Sequence, residues 1–411
     1  MNADIAWLLI SSALVLFMTP GLAFFYGGLV KRKNIINTMM SGVFIMGMAS
    51  IMWVLVGYSL SFSGDLAGII GDLKWLGLNH VGAEPGPWNS NVPNLVFAIF
   101  QMSFAIITPA VVCGSVVERM RFSSMAVFVT VWSLVVYYPL AHMVWGGGLI
   151  SRLGAVDFAG GYVVEINSGI SALIAAIAVG SRKHHGKITY HPHNIPFVFL
   201  GASILWFGWF GFNAGSAGGA NFLASQAFIT TNTSGAAALL VWMLIEKIHN
   251  NKPTLVGAST GLVIGLVAVT PGAGFVPVWA AVIIGGCASV IAYLLITKIK
   301  PLFHFDDSLD VFICHGVSGI WGCLATGIFA QTAINGSAQW NGLAYGETDL
   351  FLRQLAAVGI TAAVSSVGTV IALGAAKLAA GRLSVSVSSE DIGLDIAEHG
   401  EEAYPSFMGL D

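Results

Sequence analysis

At 411 residues, 56% of them hydrophobic and only 9% charged, the chain holds far too little charge for a soluble domain, in which about a quarter of residues are ionised. A net charge of −3 says nothing about nucleic acid by itself, and with no basic stripe or binding motif in the sequence no nucleic-acid partner is expected. Cys113, Cys287, Cys314 and Cys323 sit in apolar runs without metal-ligand spacing, so neither a metal nor another cofactor is expected.

Apolar blocks fall at 5–29, 36–62, 94–117, 125–149, 162–181, 196–216, 222–245, 254–271, 274–297, 309–331 and 352–380. Each is near the 20 or so residues that cross about 30 Å of hydrocarbon, which predicts an all-α integral membrane protein of eleven spans. The first block is read as a retained span, because it lacks a basic leader, contains Pro20 and runs into Lys31-Arg32-Lys33. Counted loop by loop, 14 of the 17 Lys and Arg fall on one side and only Lys74, Arg152 and Arg353 on the other. By the positive-inside rule the N-terminus is outside and the C-terminus inside. Segment 63–93 becomes an outer loop. Residues 384–411, with Glu390, Asp391, Asp395, Glu398, Glu401 and Glu402, form a polar tail after a membrane domain at 1–383. Composition alone would make that tail a solvated, unstructured segment.

Two stretches echo each other. One runs from Asp157 through Glu165 to Ser168-Gly169-Ile170; the other runs from Asp306 through Asp310 and His315 to Ser318-Gly319-Ile320. Five spans separate them, so the echo implies two inverted halves that meet at the membrane midplane. An ionisable side chain at that depth costs about 2.5–3.5 kcal/mol, so Glu165 and His315 are expected to face a cavity or each other. They are read as a proton relay or a polar solute site. Asp157 and Asp310, near the starts of their spans, are expected to accept helix N–H groups.

A second constellation is aromatic. Phe100 and Phe104 are four apart on one helical face, Trp145 precedes Gly146-Gly147-Gly148, and Phe212 precedes Ser216 by one turn. Aromatic faces attract a partly desolvated cation by about 0.5–2 kcal/mol, and a serine oxygen accepts a hydrogen bond from an N–H-bearing cation but not from an alkali ion.

The residues Phe25-Tyr26-Gly27-Gly28-Leu29-Val30, Ala105-Ile106-Ile107-Thr108-Pro109, Glu118-Arg119, Ala141-His142-Met143-Val144-Trp145-Gly146, Asp157-Phe158-Ala159-Gly160-Gly161, Gly208-Trp209-Phe210-Gly211-Phe212-Asn213-Ala214-Gly215-Ser216 and Leu309-Asp310-Val311-Phe312 closely resemble the ammonium transporter (Amt/Mep/Rh) family. The resemblance runs from the first span to the tail. It implies a homotrimer in the cell membrane, with a pore in each subunit through two inverted five-helix repeats plus a final helix. Phe104, Trp145 and Ser216 match the external ammonium site, Phe104 and Phe212 the phenyl gate, and Asp157 the aspartate that supports the site. Phe100 lies one turn from the gate.

His315 matches the second of the family's twin histidines, while Glu165 stands where most Amt proteins carry the first, as in one branch of the fungal Mep proteins. Gly393, Leu394, Asp395, His399, Gly400, Glu401 and Tyr404 match the family's regulatory tail, which replaces the unstructured reading. A PII-type signalling protein is the partner the family implies on the inner face. The implied activity is ammonium uptake, with methylammonium as an analogue and no enzyme chemistry. A sensor with little flux and an Rh-like gas channel are the competing readings.

Overall fold

The computed structural model describes residues 1–302 and 305–404. Among them are eleven helices long and apolar enough to cross a membrane: α1 (Asn2–Leu29), α2 (Arg32–Phe62), α3 (Asn94–Cys113), α4 (Phe122–Leu153), α5 (Gly161–Val179), α6 (Ile195–Ala214), α7 (Phe222–Asn250), α8 (Leu255–Gly272), α9 (Val278–Leu302), α10 (Phe312–Phe329) and α11 (Asp349–Ala380). The expected blocks and the helices correspond one to one. Local chemistry marks several starts: Asn194, Asn221 and Thr254 each accept the backbone N–H three residues on, at the heads of α6, α7 and α8. Differences are confined to ends. α4 bends at residues 146–148 and resumes as one turn, Leu149–Leu153, and loop 63–93 carries a short hairpin, β1 (Pro85–Gly86) with β2 (Asn89–Pro93).

The first helix of each half meets its counterpart, α1 on α6, and the last helix does likewise, α5 on α10. A two-fold relation between the halves demands this. At the α5–α10 crossing the backbones touch. A Cβ on Gly169 would lie 2.1 Å from the Cα of Gly316, and one on Gly319 would lie 2.8 Å from the Cβ of Glu165. Thus each Ser-Gly-Ile glycine admits the other helix beside its ionisable residue, as small residues do between helices packed in lipid. Both helices open with a π turn, Gly161–Ile166 and Phe312–Val317, the wide local winding that recurs at functional sites. α11 closes the bundle against α4 and α5.

Beyond α11 the tail folds back. Met120 bridges to Ser384, and a short helix, α12 (Val387–Ile392), follows. Residues 405–411 lie outside the described residues. The tail shares a face with Arg32, Lys33 and Lys183, which bond the backbone or carboxylates of Tyr404 and Asp391.

Replacing Gly169 by Val should destabilise the protein by about 1–3 kcal/mol through overpacking. Gly47→Ala, at a position with open space around the new methyl, should leave the midpoint of thermal unfolding in detergent near that of the parent.

Candidate functional site

The site is assembled from α3, α4, α5, α6 and α10. On the face opposite the tail, α4 presents Trp145 at its glycine bend, with the indole N–H donating to the Asp157 carbonyl at 3.1 Å. The Phe104 ring meets Trp145 edge to face at 5.9 Å and Phe212 at 4.4 Å, and Phe100 packs on Phe104 at 5.0 Å. Phe212 belongs to a π turn, Phe210–Ala214, which swings its ring beneath Trp145's neighbour. Trp145 and Ser216 are half-buried, whereas Phe100, Phe104 and Phe212 are buried. Ser216 donates its hydroxyl to the Phe212 carbonyl at 2.8 Å, so its oxygen lone pairs remain available as acceptors.

The Asp157 carboxylate faces inward to its own helix. It accepts the N–H groups of Gly160, Gly161 and Tyr162 at 2.6–2.8 Å, completing the exposed end of α5. Its carbonyl fixes Trp145 and its carboxylate fixes α5, so one residue joins the aromatic mouth to the polar pair below.

That pair is Glu165 and His315. Nδ1 of His315 and Oε2 of Glu165 are 2.7 Å apart, and the two residues are only 5% and 1% exposed, respectively. The closest approach of α5 and α10 places them together. An acid and a base in contact in a dry interior share protons as a unit, so a proton gained by one is felt by the other.

Asp310 departs from expectation. It sits in the left-handed region, φ +58°, and its carboxylate pairs with Lys300 at 2.6 Å instead of capping α10. The cap is Asp307, which is buried and accepts the Phe312 N–H at 2.8 Å. Burial pushes the Asp307 carboxyl up to about 6, against the pull of Lys300. Asp307 precedes His315 by eight residues, as Asp157 precedes Glu165. That spacing was readable, but the neighbouring Asp306 and Asp310 gave three candidates for one role.

A sequence profile of the Ammonium Transporter Family matches residues 6–404. The chain belongs to this family. It is 44% identical to an ammonium transporter of Bacillus subtilis over 98% of this chain and 99% of that one. Among solved structures, Mep2 of Saccharomyces cerevisiae matches with a TM-score of 0.86 at 34% identity, covering 94% of this chain and 91% of that one. A sensor Amt protein matches with a TM-score of 0.87 at 26% identity, covering 97% and 98%. This member of the Ammonium Transporter Family is therefore a multi-pass protein of the cell membrane and not an enzyme.

Below the Glu165–His315 pair, the tail-side mouth of this family member holds a cavity of about 170 Å³, with Cys314, Ser308, Asp310, Tyr190, Glu118 and Lys31 in its lining. A buried ion cluster frames it. The Arg182 guanidinium bonds Glu118 at 2.6 Å and Asp306 at 2.8 Å, and Arg119 bonds Ser308 at 2.6 Å. Burial works to raise the Asp306 carboxyl, but Arg182 outweighs it and holds the group well below the usual carboxylate range. Glu118, with φ +72°, also accepts the Lys31 N–H at 2.7 Å and the Asn34 amide at 3.0 Å. The cluster thus ties together the loops after α1, α3, α5 and α9.

The tail docks on the same loops. Gly393, at φ +109°, lies against Lys33; Leu394 donates its N–H to Asn34 at 2.8 Å. Asp395 accepts the Asn37 N–H at 2.8 Å and Glu398 accepts the Phe122 N–H at 3.0 Å. Tail carboxylates therefore sit on the positive ends of α2 and α4. The His399 ring packs on Phe122 and meets the Asn37 amide; Gly400 takes a left-handed turn, and the Glu401 N–H returns to the Asp395 carbonyl. Tyr404 meets His193 through its hydroxyl at 3.1 Å. Asn34, Asn37 and Phe122 were not distinguishable in the sequence, since each lies far from the tail in the chain and is ordinary in its own helix.

Asp306→Asn should destabilise the fold by about 3–5 kcal/mol by leaving Arg182 with one carboxylate. A carboxyl whose pKa is depressed on folding contributes fully above its unfolded value of about 4, and loses that contribution as the pH falls through the lower folded value. Thermal unfolding of parent and variant should therefore differ by a constant amount from neutral pH down to about 5 and converge only in stronger acid.

Proposed function

We propose that the protein carries ammonium into the cell by capturing the cation at Trp145, Phe104 and Ser216, stripping its proton at the Phe104–Phe212 gate, and passing ammonia through the bundle. The observation that carries this reading is the buried contact between Glu165 and His315 directly between an aromatic mouth and a polar cavity. A bare cation in a low-dielectric passage is penalised far more than aromatic faces repay, whereas burial lowers an amine's pKa by up to about 3–5 units. Deprotonation is therefore the inexpensive route. The proton passes along Glu165 and His315, ammonia is protonated again in the tail-side cavity, and the cycle moves charge. Asp157 supports the outer site by holding Trp145 and α5, and Asp310, paired with Lys300, shapes the exit.

In this reading the mouth at Trp145 is outside, and the Lys- and Arg-rich face with the tail is inside. Residues 1–383 form the conducting domain, and residues 384–411 a regulatory segment that acts through Gly393, Leu394, Asp395, His399, Gly400, Glu401 and Tyr404. The working assembly is a homotrimer, whose inner face accepts a PII-type signalling protein. An acid in the relay also places a negative charge, when ionised, where two neutral rings would place none. The pair then tolerates protons or potassium better than two neutral rings would.

Purified protein in liposomes should give an ammonium-evoked current on a solid-supported membrane. Glu165→Gln should lose most of it, since a proton relay contributes about 10²–10⁴-fold. Methylammonium binding at the outer mouth should persist in that variant. Glu165→His should keep the ammonium current and exclude potassium more strictly than the parent. Binding without current in the parent would favour a sensor, the description carried by one structural neighbour, and ammonia flux without current would favour a gas channel.

A further inference from the structure

The outer mouth rests on a polar side chain that the pathway above does not use. His142 lies one turn before Trp145 on α4 and is fully buried. Its Nδ1 is 3.1 Å from the Ser61 carbonyl oxygen and its Nε2 is 2.8 Å from Oδ1 of Asp65. Both neighbours accept. A carbonyl has no proton to give, and the Asp65 carboxylate already receives the Gly68 N–H at 3.0 Å on Oδ1 and Arg152 at 2.8 Å on Oδ2. Only an imidazole protonated on both nitrogens satisfies both contacts, since the neutral ring has one donor and one acceptor.

The charge has two compensations. Asp65 neutralises it directly, and the last turn of a helix, with its unpaired carbonyls, favours a cation. The titratable and charged groups facing the ring are Asp65, at the end of the α2 segment, and through Asp65 the Arg152 guanidinium on Leu149–Leu153. The surrounding backbone is stitched to the same point. The His142 carbonyl receives the N–H groups of Gly146 and Gly148 at 3.0 and 3.1 Å, and the Leu149 N–H reaches the Gly68 carbonyl at 2.8 Å. A Cβ on Gly146 would lie 2.3 Å from the Ser61 oxygen. The bend that aims Trp145 is thus wedged between the end of α2 and the His142–Asp65 clasp.

We propose that His142, held as an imidazolium by Asp65 and Ser61, is a positioning residue for ammonium capture: it locks the glycine bend and so sets the Trp145 indole against Phe104. This inference rests on Trp145 forming the capture site. The His142 side chain touches neither the solute nor the proton relay, so its loss acts on capture more than on turnover. Asp65 neutralises a positive charge that would otherwise oppose a cation at the same mouth.

The hydrogen bond from His142, then Arg152, holds the Asp65 carboxyl below its usual range. A depressed carboxyl keeps its charge as the pH falls, so the clasp is complete above the ordinary value of about 4 and opens only in stronger acid.

The test measures ammonium-evoked current against concentration for the full-length protein, His142→Gln, Asp65→Asn and the double variant. Each single variant should raise KM about tenfold with a smaller change in maximal current, and the double variant should be no worse than the worse single, because both remove one clasp. Unchanged KM in both singles, or additive losses in the double, would overturn the proposal. If the variants fail to fold, nitrogen NMR of ring-labelled parent protein decides: both His142 nitrogens should carry protons at neutral pH, and one bare nitrogen would refute the imidazolium. Loss of current in the parent itself would instead defeat the transport reading. NMR would still report on the clasp.

Discussion

A carboxylate and an imidazole in van der Waals burial at mid-bundle, 2.7 Å apart, constrain everything around them. Neither can stand alone in hydrocarbon, because an unpaired ionisable group there is penalised by several kcal/mol. Each needs its partner, and the partner is on a helix five spans away. The fold meets this demand by bringing α5 and α10 into backbone contact at Gly169, Gly316 and Gly319. It widens both helices with a π turn that carries the ionisable residue, Gly161–Ile166 around Glu165 and Phe312–Val317 around His315. The glycines and the ionisable pair are one design element: larger side chains at the crossing would separate the acid from the base.

From that crossing the structure grows in two directions. Upward, Asp157 completes the start of α5 with its carboxylate and holds Trp145 with its carbonyl, so the aromatic mouth is registered to the polar pair through a single residue. Downward, Asp307 completes the start of α10, and its neighbours Asp306 and Asp310 feed an ion cluster with Arg182 and Lys300. The two helix starts are therefore treated alike and then elaborated differently. One adjoins the aromatic cluster of Trp145, Phe104 and Phe212, and the tail-side one becomes a charged frame.

That frame explains how an acidic tail can stay folded without an apolar core of its own. Its carboxylates meet backbone N–H groups at the starts of α2 and α4 and the ammonium of Lys183. They satisfy donors that helices leave open at their first turn. The same loops line the tail-side cavity. Asn34 bonds Leu394 of the tail and Glu118 of the cavity lining, so a single side chain separates the tail from the cavity.

How much was legible follows from the range of each interaction. Span number and extent are set by local apolarity over about 20 residues, and the sequence carried them. Glu165 and His315 stood out because ionisable groups in apolar runs are rare, and the Ser-Gly-Ile echo placed them at matching depths. The aromatic mouth showed in the four-residue spacing of Phe100 and Phe104 and in the bend after Trp145. Other features needed the tertiary structure. Three aspartates within five residues, Asp306, Asp307 and Asp310, are equivalent by propensity. Only the path of the chain decides which one points at the α10 start and which meets a lysine or an arginine. His142 looked like one more motif residue until Ser61 and Asp65 came within bonding distance of its two nitrogens. Hydropathy and helix signals act between near neighbours and survive in one dimension. The pairing of charges across 77, 124 or 150 residues exists only once the helices have packed.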